Sequence, residues 1–198
     1  SNFQKCIILI FVKILFMKRY LLVFFIGFNL AAIGQNRFHV HAATTLLGFP
    51  SLGYETPINK HFTFHNDAIG SPFNSYNDKP LRFLIVTPEL RYYPKNEHKG
   101  FYVGAHIGGS TFHLQKYGYE NTNYYQKGYN YMAGISIGYV YAITEKFALE
   151  AFVGGGTIQS FYKGYDATSG ERYDSPVKFN KSGEWLPYRG GVNLIWKI

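Results

Sequence analysis

Residues 128–142 carry a strict alternation that constrains the fold more than any other segment. Every second side chain there is apolar or aromatic: Tyr129, Tyr131, Ala133, Ile135, Ile137, Tyr139 and Tyr141. The positions between them are small or polar, as at Asn130, Gly134, Ser136 and Gly138. A period of two is typical of a β-strand with one apolar face. The segment is therefore predicted to be a strand whose apolar face has aromatic residues at both ends.

The spacing of these tyrosines matches the thickness of a membrane. At about 3.3 Å per residue and a tilt of about 40°, Tyr131 and Tyr139 lie about 20 Å apart along the membrane normal, and Tyr129 and Tyr141 about 30 Å. These distances bracket the roughly 25 Å apolar band of outer-membrane barrels, which aromatic girdles flank. The strand is therefore predicted to cross a bacterial outer membrane.

The same period recurs along most of the chain after Asn36. Eight runs follow it, at about 36–47, 52–58, 61–70, 81–92, 100–115, 128–142, 147–163 and 185–198. Short links alternate with longer ones at 71–80, 116–127 and 164–184, as periplasmic turns alternate with outer loops in such barrels. We predict an all-β fold, an eight-stranded antiparallel up-and-down transmembrane β-barrel over residues 35–198, preceded by an N-terminal signal helix.

The amino-terminal segment has the three parts of a secretory signal. Met17-Lys18-Arg19 forms a basic head, residues 20–28 are apolar, and small residues precede the expected cut after Gly34. We predict a signal peptide over 17–34 and treat 1–16 as an upstream extension of uncertain origin. A permanent membrane helix is the alternative, but the apolar stretch is short and contains Asn29. Cys6 is the single cysteine, so residues 35–198 have no disulfide.

Strand parity turns many polar side chains towards the barrel axis. The inward set is Arg37, His39, His41, Glu55, Thr87, Glu89, Arg91, His106, Ser110, Glu150, Arg189, Asn193 and Lys197. An interior charge network is predicted to contain Arg37, Glu55, Glu89, Arg91, Glu150, Arg189 and Lys197, so that opposite charges pair where water is scarce. Because eight strands leave an interior that side chains can fill, we expect a plugged lumen.

Catalysis and metal binding are weaker interpretations of the same residues. His106 and Ser110 lie two inward positions apart, about 13 Å, which is too far for a base to reach a nucleophile. We expect no enzyme and assign no catalytic residue, and a lipid A deacylase-like or acyltransferase-like outer-membrane enzyme is the alternative. His39 and His41 share a strand face and would need a third ligand to hold a metal. We expect no metal and no cofactor.

The outer loops carry one further signal, in Tyr117, Tyr119, Tyr124 and Tyr125. Tyrosine accompanied by asparagine is typical of adaptable recognition surfaces, so these residues are loop recognition candidates. Stacking of the same rings between extended strands is the alternative. The net charge of +8 is scattered and forms no basic stripe, so nucleic acid is not an expected partner.

Several short blocks carry a resemblance to a known family. They are Gly53-Tyr54-Glu55, Pro88-Glu89-Leu90-Arg91-Tyr92-Tyr93, Gly100-Phe101-Tyr102-Val103-Gly104, Gly138-Tyr139, and Leu149-Glu150 with Gly154 and Gly156. On these blocks the chain, from Phe38 to Ile198, resembles a family of uncharacterised small bacterial outer-membrane β-barrel proteins, classified as a domain of unknown function. The resemblance implies a signal peptide, an eight-stranded barrel and no assigned activity.

These observations predict a non-enzymatic protein of the Gram-negative cell outer membrane. Its lumen is expected to be filled by side chains, and its surface-exposed loops to serve envelope integrity or surface recognition. The expected partners are outer-membrane lipid and lipopolysaccharide, the barrel-assembly machinery, which would engage the terminal strand at 190–198, and a surface ligand of the loops. A soluble lipocalin-like barrel would place its apolar side chains inside instead, and a narrow pore would conduct ions.

Overall fold

The computed structural model describes residues 36–95, 98–116, 118–119, 121–173 and 185–198. The predicted signal peptide, the upstream extension, Cys6 and Tyr117 lie outside the described residues. Within the described ranges, no helix is long and apolar enough to cross a membrane.

Eight strands form the wall of the barrel, and two very short strands extend it. The wall strands are β1 (Arg37–His41), β2 (Ser51–Pro57), β3 (Phe62–Gly70), β5 (Lys79–Tyr92), β6 (Gly100–Leu114), β7 (Tyr124–Ala142), β8 (Phe147–Asp166) and β10 (Trp185–Lys197). The short strands are β4 (Ser75–Tyr76), which pairs with β5, and β9 (Arg172–Tyr173), which pairs with β8. One short helix, α1 (Ala42–Leu46), follows β1 directly.

The wall closes on itself with antiparallel pairing throughout. Consecutive wall strands are neighbours, and β10 pairs with β8 on one side and with β1 on the other. Arg37 lies opposite Lys197 and His41 opposite Asn193 in the closing pair. The closing pair covers residues 193–197 of β10, whereas residues 185–192 pair with β8 alone. The predicted eight-stranded antiparallel barrel is confirmed.

The two ends of the barrel differ in their connections. At one end, the turn end, the strands are joined by the short segments 58–61, 93–99 and 143–146. At the other, the loop end, they are joined by 42–50, 71–78, 115–123 and 167–184. The chain enters β1 and leaves β10 at the turn end, as an even number of antiparallel strands requires.

The two faces of the wall have opposite chemistry. Outward side chains at Ile107, Ile135 and Tyr139 are 65%, 55% and 54% exposed, although they are apolar or aromatic. Inward charges at Glu55 and Arg91 are fully buried. A soluble barrel shows the reverse distribution, because water favours polar outer faces and apolar interiors.

The first predicted strand is wrong beyond His41. The run 36–47 was expected to be one strand, whereas residues Ala42–Leu46 form α1. The backbone N–H groups of Leu47, Gly48 and Phe49 bond back to carbonyls within 43–45, so this segment satisfies its own polar groups without a neighbouring strand. As a result, the predicted outward position of Ala42 does not belong to a strand.

A bulge near the start of β10 changes which side chains reach the lumen. The register with β8 shifts between Pro187 and Arg189. Proline lacks the N–H that a strand ladder needs, and it is therefore common at such irregularities. Tyr188 and Arg189 are adjacent, yet both contact lumen residues, His106 and Glu89 respectively. Strict alternation would have turned only one of them inwards.

Candidate functional site

The lumen near the turn end contains an ion cluster whose hub is Arg91. Its guanidinium lies 3.0 Å from Glu150 Oε1 through Nη1, 3.0 Å from Glu89 Oε2 through Nε, and 3.6 Å from Glu55 Oε2. The ring of Tyr102 lies 4.5 Å from the guanidinium carbon, which adds a cation–π contact. One cation on β5 therefore joins carboxylates from β2, β5 and β8.

Hydroxyl and amide groups donate further hydrogen bonds to two of these carboxylates. Thr63 and Tyr93 donate to Glu55 Oε1 at 2.5 and 3.0 Å. Tyr102 donates to Glu150 Oε1, and Asn193 Nδ2 donates to Glu150 Oε2 at 2.7 Å. Such saturation is what a carboxylate needs when water is excluded from it.

His39 bridges two of the carboxylates. Its Nε2 lies 2.8 Å from Glu55 Oε2 and its Nδ1 lies 3.0 Å from Glu150 Oε2. An ionised carboxylate only accepts hydrogen bonds, so both ring nitrogens are placed to donate. His65 packs against this ring, with centroids 4.6 Å apart.

Glu89 joins the cluster to residues nearer the loop end. Ser136 donates to its Oε1, while His65 Nδ1 and Arg189 Nη2 lie 3.5 and 3.6 Å from its Oε2. Gly104 makes this approach possible, since a Cβ there would overlap the Glu89 carboxylate. The part of the lumen that contains the ion cluster, from the level of Arg37 at the turn end to the level of Glu89, is called the turn half. The part from there to the loop end is called the loop half.

Two predicted network members lie at the edge of this cluster. Arg37 is 3.9 Å from Glu55 Oε2, and its Nη1 donates to the carbonyl of His98 at 2.7 Å. Lys197 is buried, but within the described part of the chain it pairs with no carboxylate. The structure thus brings together Arg37, Glu55, Glu89, Arg91, Glu150 and Arg189, and leaves Lys197 apart.

The loop half is open where the turn half is filled. A cavity of about 390 Å³ lies there, lined on one side by polar residues such as Asp67, Thr87 and Arg189. Its apolar lining residues are Phe49, Ile69, Phe83, Ile85, Met132, Phe152 and Ile158. The turn half of the lumen is therefore filled by side chains, and the loop half contains a cavity.

The remaining inward histidines have structural partners near this cavity. His41 Nδ1 accepts from the Thr44 N–H at 3.2 Å, which caps α1, and Nε2 lies 3.2 Å from the Gly190 carbonyl, to which it can donate. His106 Nε2 lies 2.6 Å from the Tyr188 hydroxyl. His39 and His41 therefore do not share a ligand, and the described residues contain no group of three or more metal-ligating side chains suited to an ion.

The loop end carries a cluster of aromatic rings. Tyr124 packs on Tyr173 with centroids 4.4 Å apart, and Tyr125 stacks on Tyr165 at 5.6 Å. Tyr119 lies 6.4 Å from Tyr173. Tyr124 and Tyr125 belong to β7 and not to the predicted loop 116–127, because β7 begins four residues earlier than expected.

A lysine lies beside these rings in the connection between β6 and β7. Lys116 Nζ lies 3.9 Å from the centroid of the Tyr162 ring. Partial burial lowers the pKa of Lys116, because burial disfavours its charged form. The loop end therefore combines stacked tyrosines with a cation held against a further tyrosine, Tyr162.

Some side chains that contact the ion cluster or line the cavity were not among the predicted network residues. They are Thr63, His65, Tyr93, Tyr102, Ser136 and Tyr188. Parity contained the signal for most of them, because Tyr102 follows the outward Phe101 and Ser136 follows the outward Ile135. Tyr188 is the exception, since its inward position depends on the bulge, which only Pro187 signals.

Comparison with known proteins gives a family and no activity. No curated protein and no solved structure matches this chain. One family model, described as "Protein of unknown function (DUF3575)", matches residues 17–198. The match includes the whole barrel and every residue of the ion cluster. The chain therefore belongs to this family of proteins of unknown function, DUF3575.

Proposed function

We propose that this protein is a non-enzymatic, integral barrel of the bacterial outer membrane that anchors a tyrosine-rich surface outside the cell. The observation that carries the proposal is the inverted wall, with apolar side chains such as Ile135 exposed and charges such as Arg91 buried. Acyl chains favour such a wall, because a Lys or Arg on the lipid face costs about 2–4 kcal/mol at the midplane.

The ion cluster argues against a continuous pore. Arg91, Glu150 and Glu55 join opposite walls of the lumen and are fully buried. Moving them apart would leave charges without partners in a dry interior, which costs several kcal/mol per ion. The turn half therefore acts as a plug that also holds the wall strands together.

The polar side chains nearest to a catalytic arrangement support a non-enzymatic function. His106 contacts the phenol of Tyr188 and not a serine. A nucleophile needs a base within hydrogen-bond reach, and the base needs an orienting group. Ser110 has no such base beside it in the described part of the chain.

The rim at the loop end supports contact with lipopolysaccharide. Lys127 and Lys163 are cross-strand partners and both are exposed. On the same two strands, the lysines lie one outward position nearer the loop end than Tyr129 and Phe161, whose stacked rings are 5.4 Å apart. Like charges directly opposite each other are destabilising, so a phosphate lying between the two lysines would stabilise the rim.

A cell-fractionation experiment tests this function. The full chain is expressed in a Gram-negative host, and outer membranes are run on a gel with and without boiling. A barrel that spans the membrane resists detergent unfolding and migrates differently when unboiled. Recovery in the soluble periplasm would defeat the proposal. Planar bilayers provide the second measurement, in which the filled turn half predicts no steady single-channel conductance.

A further inference from the structure

The cavity of the loop half has its charged groups at the floor and a mostly apolar wall above them, in which Ser110 and Asn130 lie at the level of Ile85. Along β5, Thr87 lies nearest the ion cluster, and Ile85 and then Phe83 follow towards the loop end. Asp67 precedes Ile69 in the same way on β3. A volume of about 390 Å³ is within the range of small-ligand sites, which are mostly apolar and have a few polar groups that orient the ligand.

Two oppositely charged side chains at the floor of the cavity can each make further hydrogen bonds or ion pairs. Arg189 is nearly buried, its Nη1 has no hydrogen-bond partner, and its Nη2 reaches Glu89 only at 3.6 Å. Asp67 lines the cavity, and within the described residues it makes no ion pair or side-chain hydrogen bond. A buried guanidinium nitrogen without an acceptor is costly, so a ligand that supplies one would be stabilised there.

The wall beside this cavity is not a continuous sheet. β10 pairs with β1 only from Asn193 onwards, so its residues 185–192 have a strand partner on the β8 side alone. α1 lies on the other side, and at its end Leu46 and Leu47 are 87% and 72% exposed. His41, the last residue of β1, contacts β10 there, with its Nε2 3.2 Å from the Gly190 carbonyl.

Exposed leucines beside a gap in the hydrogen bonding between strands are suited to contact with acyl chains. Their position at the depth of the outer leaflet rests on the proposed function. An acyl chain can pass between β10 and α1 there without breaking a full set of ladder hydrogen bonds. The break therefore gives the cavity a route to the membrane that the remaining wall does not offer.

We propose that this cavity binds a single-chain amphiphile with a zwitterionic phosphoethanolamine-type head. The phosphate lies against Arg189, the ammonium lies against Asp67, and the chain follows Ile85, Met132 and Ile158 towards the loop end. One positive and one negative group at the floor match one negative and one positive group in the head. A fatty acid would give Arg189 an acceptor, but its carboxylate would lie in the same cavity as the like-charged Asp67.

Met132 provides a reporter inside the cavity. The chain has two methionines, Met17 and Met132, and Met132 lines the apolar wall. The full chain is labelled with methyl-¹³C methionine, held in amphipol without free detergent, and titrated with lauroyl lysophosphatidylethanolamine. Met132→Leu assigns the resonance. A saturable shift of the Met132 methyl is the expected result.

Two neighbouring substitutions separate the cavity from the outer surface. Ser110→Phe fills the cavity, whereas Thr111→Phe places the same aromatic ring on the outward face of the same strand. We expect Ser110→Phe to weaken binding at least about tenfold and Thr111→Phe to change it less than about twofold. Equal binding by both variants would overturn the site, as would a shift that never saturates.

The charges of the floor have their own test. Asp67→Asn keeps the shape of the side chain and removes its charge. We expect it to weaken lysophosphatidylethanolamine binding about fivefold or more and to strengthen laurate binding. Tighter laurate than lysophosphatidylethanolamine binding by the unmodified chain would overturn the zwitterionic head. Because the titration is done in amphipol, its failure is distinguishable from failure of the membrane assignment, which fractionation measures.

Discussion

The two halves of the lumen use the same wall strands in opposite ways. In the turn half, Arg91, His39 and three glutamates fill the cross-section with short, saturated polar contacts. In the loop half, a cavity of about 390 Å³ remains, and a helix replaces part of the wall. The comparison indicates that stability is concentrated near the turn end, which leaves the loop half free to bind a ligand.

The difference follows from where the charges fall along each strand. Glu55, Arg91 and Glu150 lie close to the short connections, so their side chains meet at one level. Nearer the loop end, the inward positions include Ile85 on β5, Met132 on β7 and Ile158 on β8, which have no such partners. A cluster of coupled charges fails as a unit when one member is lost, whereas apolar contacts fail one at a time.

The largest expected effect is the loss of the hub. Arg91→Met should lower the free energy of unfolding by about 3–5 kcal/mol, because three carboxylates then lose their shared cation in a dry interior. Urea unfolding in lipid vesicles, followed by tryptophan fluorescence, measures it. Arg82→Met on the exposed part of β5 is the matched control and should change little. If the Arg91→Met protein is as stable as the control, the turn half is not the main source of stability.

A charge on the outer face should have the next largest effect. Ile135→Lys places an ammonium among acyl chains and should cost about 2–4 kcal/mol in the same measurement. Ile143→Lys, in the short connection 143–146, should be nearly neutral. If both variants unfold at the same urea concentration, the outer face does not contact lipid.

Loss of the α1 cap should act locally, in the loop half. His41→Ala removes the acceptor for the Thr44 N–H and the contact with Gly190, and it should cost about 1 kcal/mol. Amide hydrogen exchange should accelerate over residues 42–49 and stay unchanged at Glu150. Thr45→Ala, exposed on the same helix, is the control. Faster exchange at Glu150 would show that the halves are not independent.

The smallest expected effect lies in the aromatic cluster. Tyr125 and Tyr165 are cross-strand partners with rings 5.6 Å apart. A double-mutant cycle with Tyr125→Leu and Tyr165→Leu should give a coupling of about 0.2–1 kcal/mol. A coupling free energy as large as the stability loss expected for Arg91→Met would contradict the contrast between the two halves.

Much of this architecture was predictable, because period and parity are local properties of a strand. The alternation at 128–142 and the inward charges needed no tertiary information. The end of β1 at His41 did, since Ala42–Leu46 fits either period, and the change to a helix depends on the cap that the His41 side chain makes with the Thr44 N–H. Tyr188 was missed for a related reason, because a bulge resets parity and depends on pairing with β8.

The central claim is that the apolar face of the wall contacts acyl chains while the opposite face is sealed from them. Leu194 and Ile195 test it most directly, because they are adjacent on β10, with 45% and 0% exposed side chains. In lipid nanodiscs with methyl-labelled protein, we predict cross-relaxation from the Leu194 and Ile135 methyls to acyl-chain methylenes and none from Ile195. Cross-relaxation of Leu194 and Ile135 with water alone, or of Ile195 with the lipid, would contradict the account.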